Sequence, residues 1–129
     1  MKEKLRILFV EDKEGFPRSV LLRIKSELDS LGTEREEPEI LPDGNFVWET
    51  VRDWKPHLIM MDHNLENVKI NGANLIIEIR FHNNTTPIVF YSSEMDEKLK
   101  SLVDGASGVF PCHRDDVHSE LLRQINKFR

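Results

Sequence analysis

Two hydrophobic periods alternate along this chain. Short continuous apolar runs appear at 5–10 (LRILFV), 58–61 (LIMM), 87–91 (PIVFY) and 108–110 (GVF), with a weaker one at 39–41 (EIL). Runs of this length, rich in Leu, Ile, Val and Phe, predict strands buried on both faces. Between them the apolar residues fall three or four apart. Val20, Ile24, Leu28 and Leu31 mark one helix face, with Pro17 suited to its first turn and Gly32 to its end. A second helix is expected over 45–54, with Phe46, Val47, Val51 and Trp54 inward and a stop before Pro56. A third is expected over 72–82, burying Leu75, Ile76 and Ile79. The segment 93–105 has the form of a capping box from Ser93 to Asp96, then Met95, Leu99, Leu102 and Val103 on one face and Gly105 as a stop. A last helix, 115–128, carries Val117, Leu121, Ile125 and Phe128. Five strand–helix units in this order predict a parallel sheet covered on both faces, in one domain spanning 1–129.

The strand ends carry the chemistry. The run from Leu58 to Met61 passes directly into Asp62, although burying a carboxylate is costly unless something pairs with it. Glu11 and Asp12 follow the first strand, and Ser92 follows the fourth. In open parallel α/β sheets, function sits beyond the carboxyl ends of the strands. With the first and third strands as neighbours, three carboxylates meet. Two unit charges about 4 Å apart repel by roughly 4 kcal/mol at an effective dielectric near 20, so three carboxylates call for a cation. Oxygen-only ligation with open positions suits Mg²⁺.

Composition narrows the function further. The 129 residues are 39% hydrophobic and 32% charged, as in a globular protein with a full core. No run approaches a membrane span, and the N-terminus lacks the form of a signal peptide. The single cysteine excludes an internal disulfide and fits the cytoplasm. A net charge of −5 argues against a nucleic-acid partner. The five histidines are scattered and are not read as zinc ligands, and Trp48 and Trp54 are read as packing residues. Taken singly, Glu11 and Asp12 also read as a polar strand end, and Ser92 as a helix cap; Ser93 can take that capping role and free Ser92.

The blocks ILFVED, KPHLIMMD, PIVFYSS and DGASGVF together resemble, in order and spacing, the bacterial response-regulator receiver domain over essentially the whole chain. The resemblance implies a flavodoxin-like, doubly wound five-stranded sheet in the order 2-1-3-4-5 with five helices. It implies Asp62 as phosphoacceptor for a histidine kinase or phosphotransfer protein, and Ser92 as the hydroxyl that contacts the phosphoryl group. It also implies Glu11, Asp12, Asp62 and the backbone carbonyl of Asn64 as Mg²⁺ ligands. Catalysis would be limited to self-phosphorylation and slow dephosphorylation. With no output domain, the signal would pass to a downstream target protein, and the fourth helix, fifth strand and fifth helix form a candidate homodimer face.

The chain departs from that family at several positions. The lysine expected after the fifth strand falls on Cys112, or on Phe110 in a shifted register, and Arg114 is a candidate substitute whose reach the sequence does not show. The aromatic switch position becomes Val109, with Phe110 on the opposite strand face. Glu66 stands where a proline is usual, and Gly72 comes two residues late, which lengthens the lip over the site. Two other functions follow from the same residues. One is a pseudo-receiver that binds partners without phosphate. The other, weaker for want of a lid or a general acid, is a small Mg²⁺-dependent phosphohydrolase.

Overall fold

A computed structural model of the chain describes residues 3–65, 71–83 and 85–128. Its centre is a five-stranded parallel sheet in the order β2-β1-β3-β4-β5. The strands are β1 (Ile7–Val10), β2 (Glu39–Leu41), β3 (Leu58–Asp62), β4 (Ile88–Ser92) and β5 (Val109–His113). β1, β3 and β4 are buried at every position, as continuous apolar runs require. The weak run at 39–41 is β2, an edge strand paired to β1 only.

Six α-helices cover the sheet: α1 (Phe16–Arg23), α2 (Lys25–Leu31), α3 (Val47–Trp54), α4 (Gly72–His82), α5 (Glu97–Ser101) and α6 (Val117–Phe128), with a 3₁₀ turn at Arg114–Asp116. The expected count was five. The first helix divides at Ile24, whose backbone leaves helical geometry at φ −105° and ψ 11°. Hydropathy could not reveal this break, because Val20, Ile24 and Leu28 stay buried across it.

The alternation of side chains along each strand divides the core in two. Leu8, Ile59, Met61 and Phe90 pack against α3, α4 and α5. Phe9, Met60, Val89 and Tyr91 pack against α1, α2 and α6. The expected inward residues of α4 are all buried.

Four local expectations need correction. Phe46 does not face inward: it precedes α3 in left-handed backbone, φ 63°, and is 71% exposed. The Ser93–Asp96 box does not form, because Asp96 itself caps a shorter α5, accepting from the Leu99 amide at 2.8 Å. Leu102, expected inward, is half exposed beyond the end of that helix. β5 runs on through Pro111 to His113; it pairs only with β4, and an edge strand tolerates proline. No described helix is long and apolar enough to cross a membrane.

Candidate functional site

The carboxyl ends of β1, β3 and β4 bring the predicted residues together. Strand order makes β1 and β3 neighbours, with Val10 beside Met61. Glu11 and Asp62 therefore leave adjacent strands side by side. Each lies two residues beyond a side chain of the α1–α6 core, Phe9 and Met60, and so shares that face. Glu11 and Asp62 are almost completely buried, and Asp12 is half-buried. A carboxylate oxygen from each of the three lies within 4.8 Å of the others. The convergence expected from the sequence is present.

A residue not singled out beforehand completes the cluster. Tyr91 pairs with Asp62 across β3 and β4, and its hydroxyl donates to Glu11 Oε1 at 2.9 Å. Strand alternation could have located it: Tyr91 shares a face with Val89 and opposes Ser92.

Arg114 does reach the site. Its Nη2 lies 2.9 Å from Glu11 Oε1 and its Nη1 3.4 Å from Asp62 Oδ2. The guanidinium lies over the Phe16 ring, 3.8 Å from the centroid, and 5.5 Å from that of Tyr91. Nη2 is buried and makes no hydrogen bond, so its attraction to Glu11 is purely electrostatic. Cys112, at the lysine position, packs instead against the α1–α6 core. Arg114 lies one strand period beyond it, and a longer side chain spans the gap. Burial, with Glu120 and Asp116 nearby, pushes the Cys112 thiol up to about 12.

Burial also dominates the carboxylates. Desolvation raises Glu11 to about 7, against the Lys13 amide, the Arg114 charge and the Tyr91 hydroxyl, which favour its ionised form. The Lys13 amide donates to Glu11 Oε2 at 3.0 Å. Asp62 is likewise raised, first by burial, and opposed by the Asn64 amide, which donates to Oδ1 at 3.2 Å, and by Arg114. Burial thus pushes both carboxyls toward their neutral forms, and a cation held between them would draw them back to the ionised state.

Ser92 and Asn64 occupy the other face. Ser92 is buried, and its Oγ accepts from Asn64 Nδ2 at 3.0 Å and from the Glu94 amide at 3.1 Å. Ser92 is thus not freed by Ser93, as expected, but supports the turn after β4. Its hydroxyl proton remains available to donate. A cavity of about 250 Å³ beside it is lined by His63, Asn64, Ser92 and Lys98. Val109 packs into the α3–α5 core, while Phe110 lies on the opposite side beneath Lys127, 4.7 Å from its ring centroid. Ser92 thus has no aromatic partner at the expected switch position.

Gly72 closes the floor. A Cβ there would lie 2.3 Å from the Asp62 carbonyl oxygen and 2.8 Å from His63 Cα, so only glycine allows this approach. Asn71 caps α4 by accepting from the Asn74 amide. Glu66, part of the expected lip, lies outside the described residues.

Comparison with solved structures decides the fold type. The chain is similar to the signal receiver domain attributed to the response regulator NarL from Mycobacterium tuberculosis (TM-score 0.72, 17% identity, covering 98% of this chain and 96% of that one). It is similar to the chemotaxis protein CheY4 of Vibrio cholerae (TM-score 0.70, 17% identity, covering 97% of this chain and 98% of that one). It also resembles the response regulator domain of Thermotoga maritima CheB (TM-score 0.67, 23% identity, 97% of this chain and 96% of that one). The fold is that of a response-regulator receiver domain. No protein-family model and no curated protein matches the sequence. The receiver fold therefore rests on shape and on the order of its strand-end residues.

Proposed function

We propose that this receiver-fold protein accepts a phosphoryl group on Asp62 from a histidine kinase or phosphotransfer protein and signals through protein–protein contact. The observation that carries this reading is the burial of Asp62 at the end of β3, with carboxylate oxygens of Glu11 and Asp12 within 4.8 Å of its own and the Arg114 guanidinium beside it. Three carboxylates with no nitrogen or sulfur donor suit a hard divalent cation such as Mg²⁺. Glu11, Asp12 and Asp62 would hold it, with the Asn64 carbonyl as a fourth ligand. Bound there, Mg²⁺ would neutralise charge on the transferring phosphoryl group and draw Asp62 into its ionised form.

The chain's own residues supply the rest. An Asp62 carboxylate oxygen attacks phosphorus, the P–N bond to the donor imidazole breaks, and an acyl phosphate remains on Asp62. The Asn64 amide fixes the Asp62 carboxylate through Oδ1. Ser92 offers its hydroxyl proton to a phosphoryl oxygen, and Arg114, on the opposite side, holds positive charge beside the acceptor before the metal enters. The α5–β5–α6 surface would carry the change to a target protein or to a second copy.

Intact-mass measurement after incubation with acetyl phosphate tests this reading, with and without Mg²⁺, on wild type and Asp62→Ala. One phosphoryl group gained only with Mg²⁺ and only in wild type is the expected result. No gain, together with no beryllofluoride binding, would overturn the phosphoacceptor and leave a binding module that uses the fold alone.

A further inference from the structure

Arg114 grips more than the acceptor. Its two terminal nitrogens are divided between Asp62 Oδ2 and Glu11 Oε1, two of the three carboxylates assigned to the metal. The Arg114 side chain is only 16% exposed and its guanidinium lies over the Phe16 ring, 3.8 Å from the centroid. We propose that Arg114 is a resident counter-ion that competes with a divalent cation for the Glu11–Asp62 pair. This inference rests on the metal-binding part of the reading above.

Three features support competition over cooperation. The guanidinium approaches the oxygens a metal would use, and two cations drawn to the same oxygens repel each other. Its contact with Glu11 is an ion pair without a hydrogen bond, so exchanging it for a metal contact forfeits no hydrogen bond. There is also space beside it: a cavity of about 330 Å³ adjoins Arg114 between α1 and the 3₁₀ turn, bordered by Phe16, Ser19, Asp115 and His118, with Arg23 on its rim as an opposing cation. Metal entry would drive the guanidinium along the Phe16 face into that space. The metal-free site is accordingly partly neutralised from within.

Calorimetric titration with Mg²⁺ alone, without a phosphoryl donor, tests the proposal on wild type, Arg114→Gln and Phe16→Leu. Arg114→Gln should bind Mg²⁺ at least ten-fold more tightly than wild type. Phe16→Leu, which loosens the guanidinium without removing it, should shift affinity the same way by a smaller factor. Equal, weaker or absent binding in Arg114→Gln overturns the proposal. Should that variant not fold, the wild type decides: saturation with Mg²⁺ should move the Arg114 Nε–H resonance, and an unmoved resonance overturns the competition. Phosphorylation of Asp62 is read separately by mass, so either idea can fail while the other stands.

Discussion

The two faces of the sheet meet at its carboxyl edge and handle polarity in opposite ways. On the α1–α6 face, buried Glu11, Asp62 and Tyr91 meet the half-buried Arg114, and opposite charges answer one another. On the α4–α5 face, Asn64, Ser92 and the Glu94 amide form a neutral hydrogen-bonded chain beside an open cavity. The difference follows from strand alternation: Asp62 and Ser92 end paired strands but point apart. The charged groups are bound to one another through ion pairs, while the neutral dipoles of Ser92 and Asn64 border the cavity. A phosphoryl group on Asp62 would lie between a side that supplies charge and a side that supplies a proton donor.

The contrast can be broken most strongly at Arg114. Arg114→Met leaves Glu11 and Asp62 without their cation. It should destabilise metal-free protein by about 3–5 kcal/mol, seen as a lower urea midpoint, with recovery on adding Mg²⁺. A variant as stable as wild type in chelator would show that the ion pairs contribute little. Gly72→Ala acts on both faces by pushing against the Asp62 and His63 backbone. A loss near the upper end of about 1–3 kcal/mol is expected, with reduced phosphorylation as the strand end shifts. Tyr91→Phe removes the hydroxyl from Glu11 alone. It should cost about 1–3 kcal/mol and leave the Ser92 side unchanged, as amide shifts would report.

Ser92→Ala tests the neutral face. Loss of an acceptor for Asn64 and the Glu94 amide should cost about 1 kcal/mol, less than any change on the charged face. It should also slow phosphorylation without weakening Mg²⁺ binding. The last test is alkaline. Cys112 keeps its proton to about pH 12 when folded, against an ordinary value of 9. Above pH 9 the unfolded chain binds fewer protons than the folded one, so stability falls as pH rises from about 9 to 12. Tyr91, raised above 10 by the same burial, adds in the same direction. Urea midpoints at pH 8 and pH 10 check the sign, and Cys112→Ala should flatten part of the slope.

The sequence by itself determined the parallel sheet, its five strands and the residues at their ends. Continuous apolar runs separated by helical periods admit few other folds, and polar residues that interrupt such runs mark the functional edge. It did not determine the break at Ile24, the outward turn of Phe46 or the capping role of Asp96. Those depend on backbone dihedrals that leave the hydrophobic pattern unchanged. Nor could it settle whether Arg114 replaces the missing lysine. Counting along β5 placed Cys112 at that position, and only the packing of α6 and the 3₁₀ turn against α1 brings the guanidinium onto Phe16, within reach of Glu11 and Asp62. A charge partner 103 positions away from Glu11 is fixed by tertiary contact, because reach across a folded surface has no local signature in the chain.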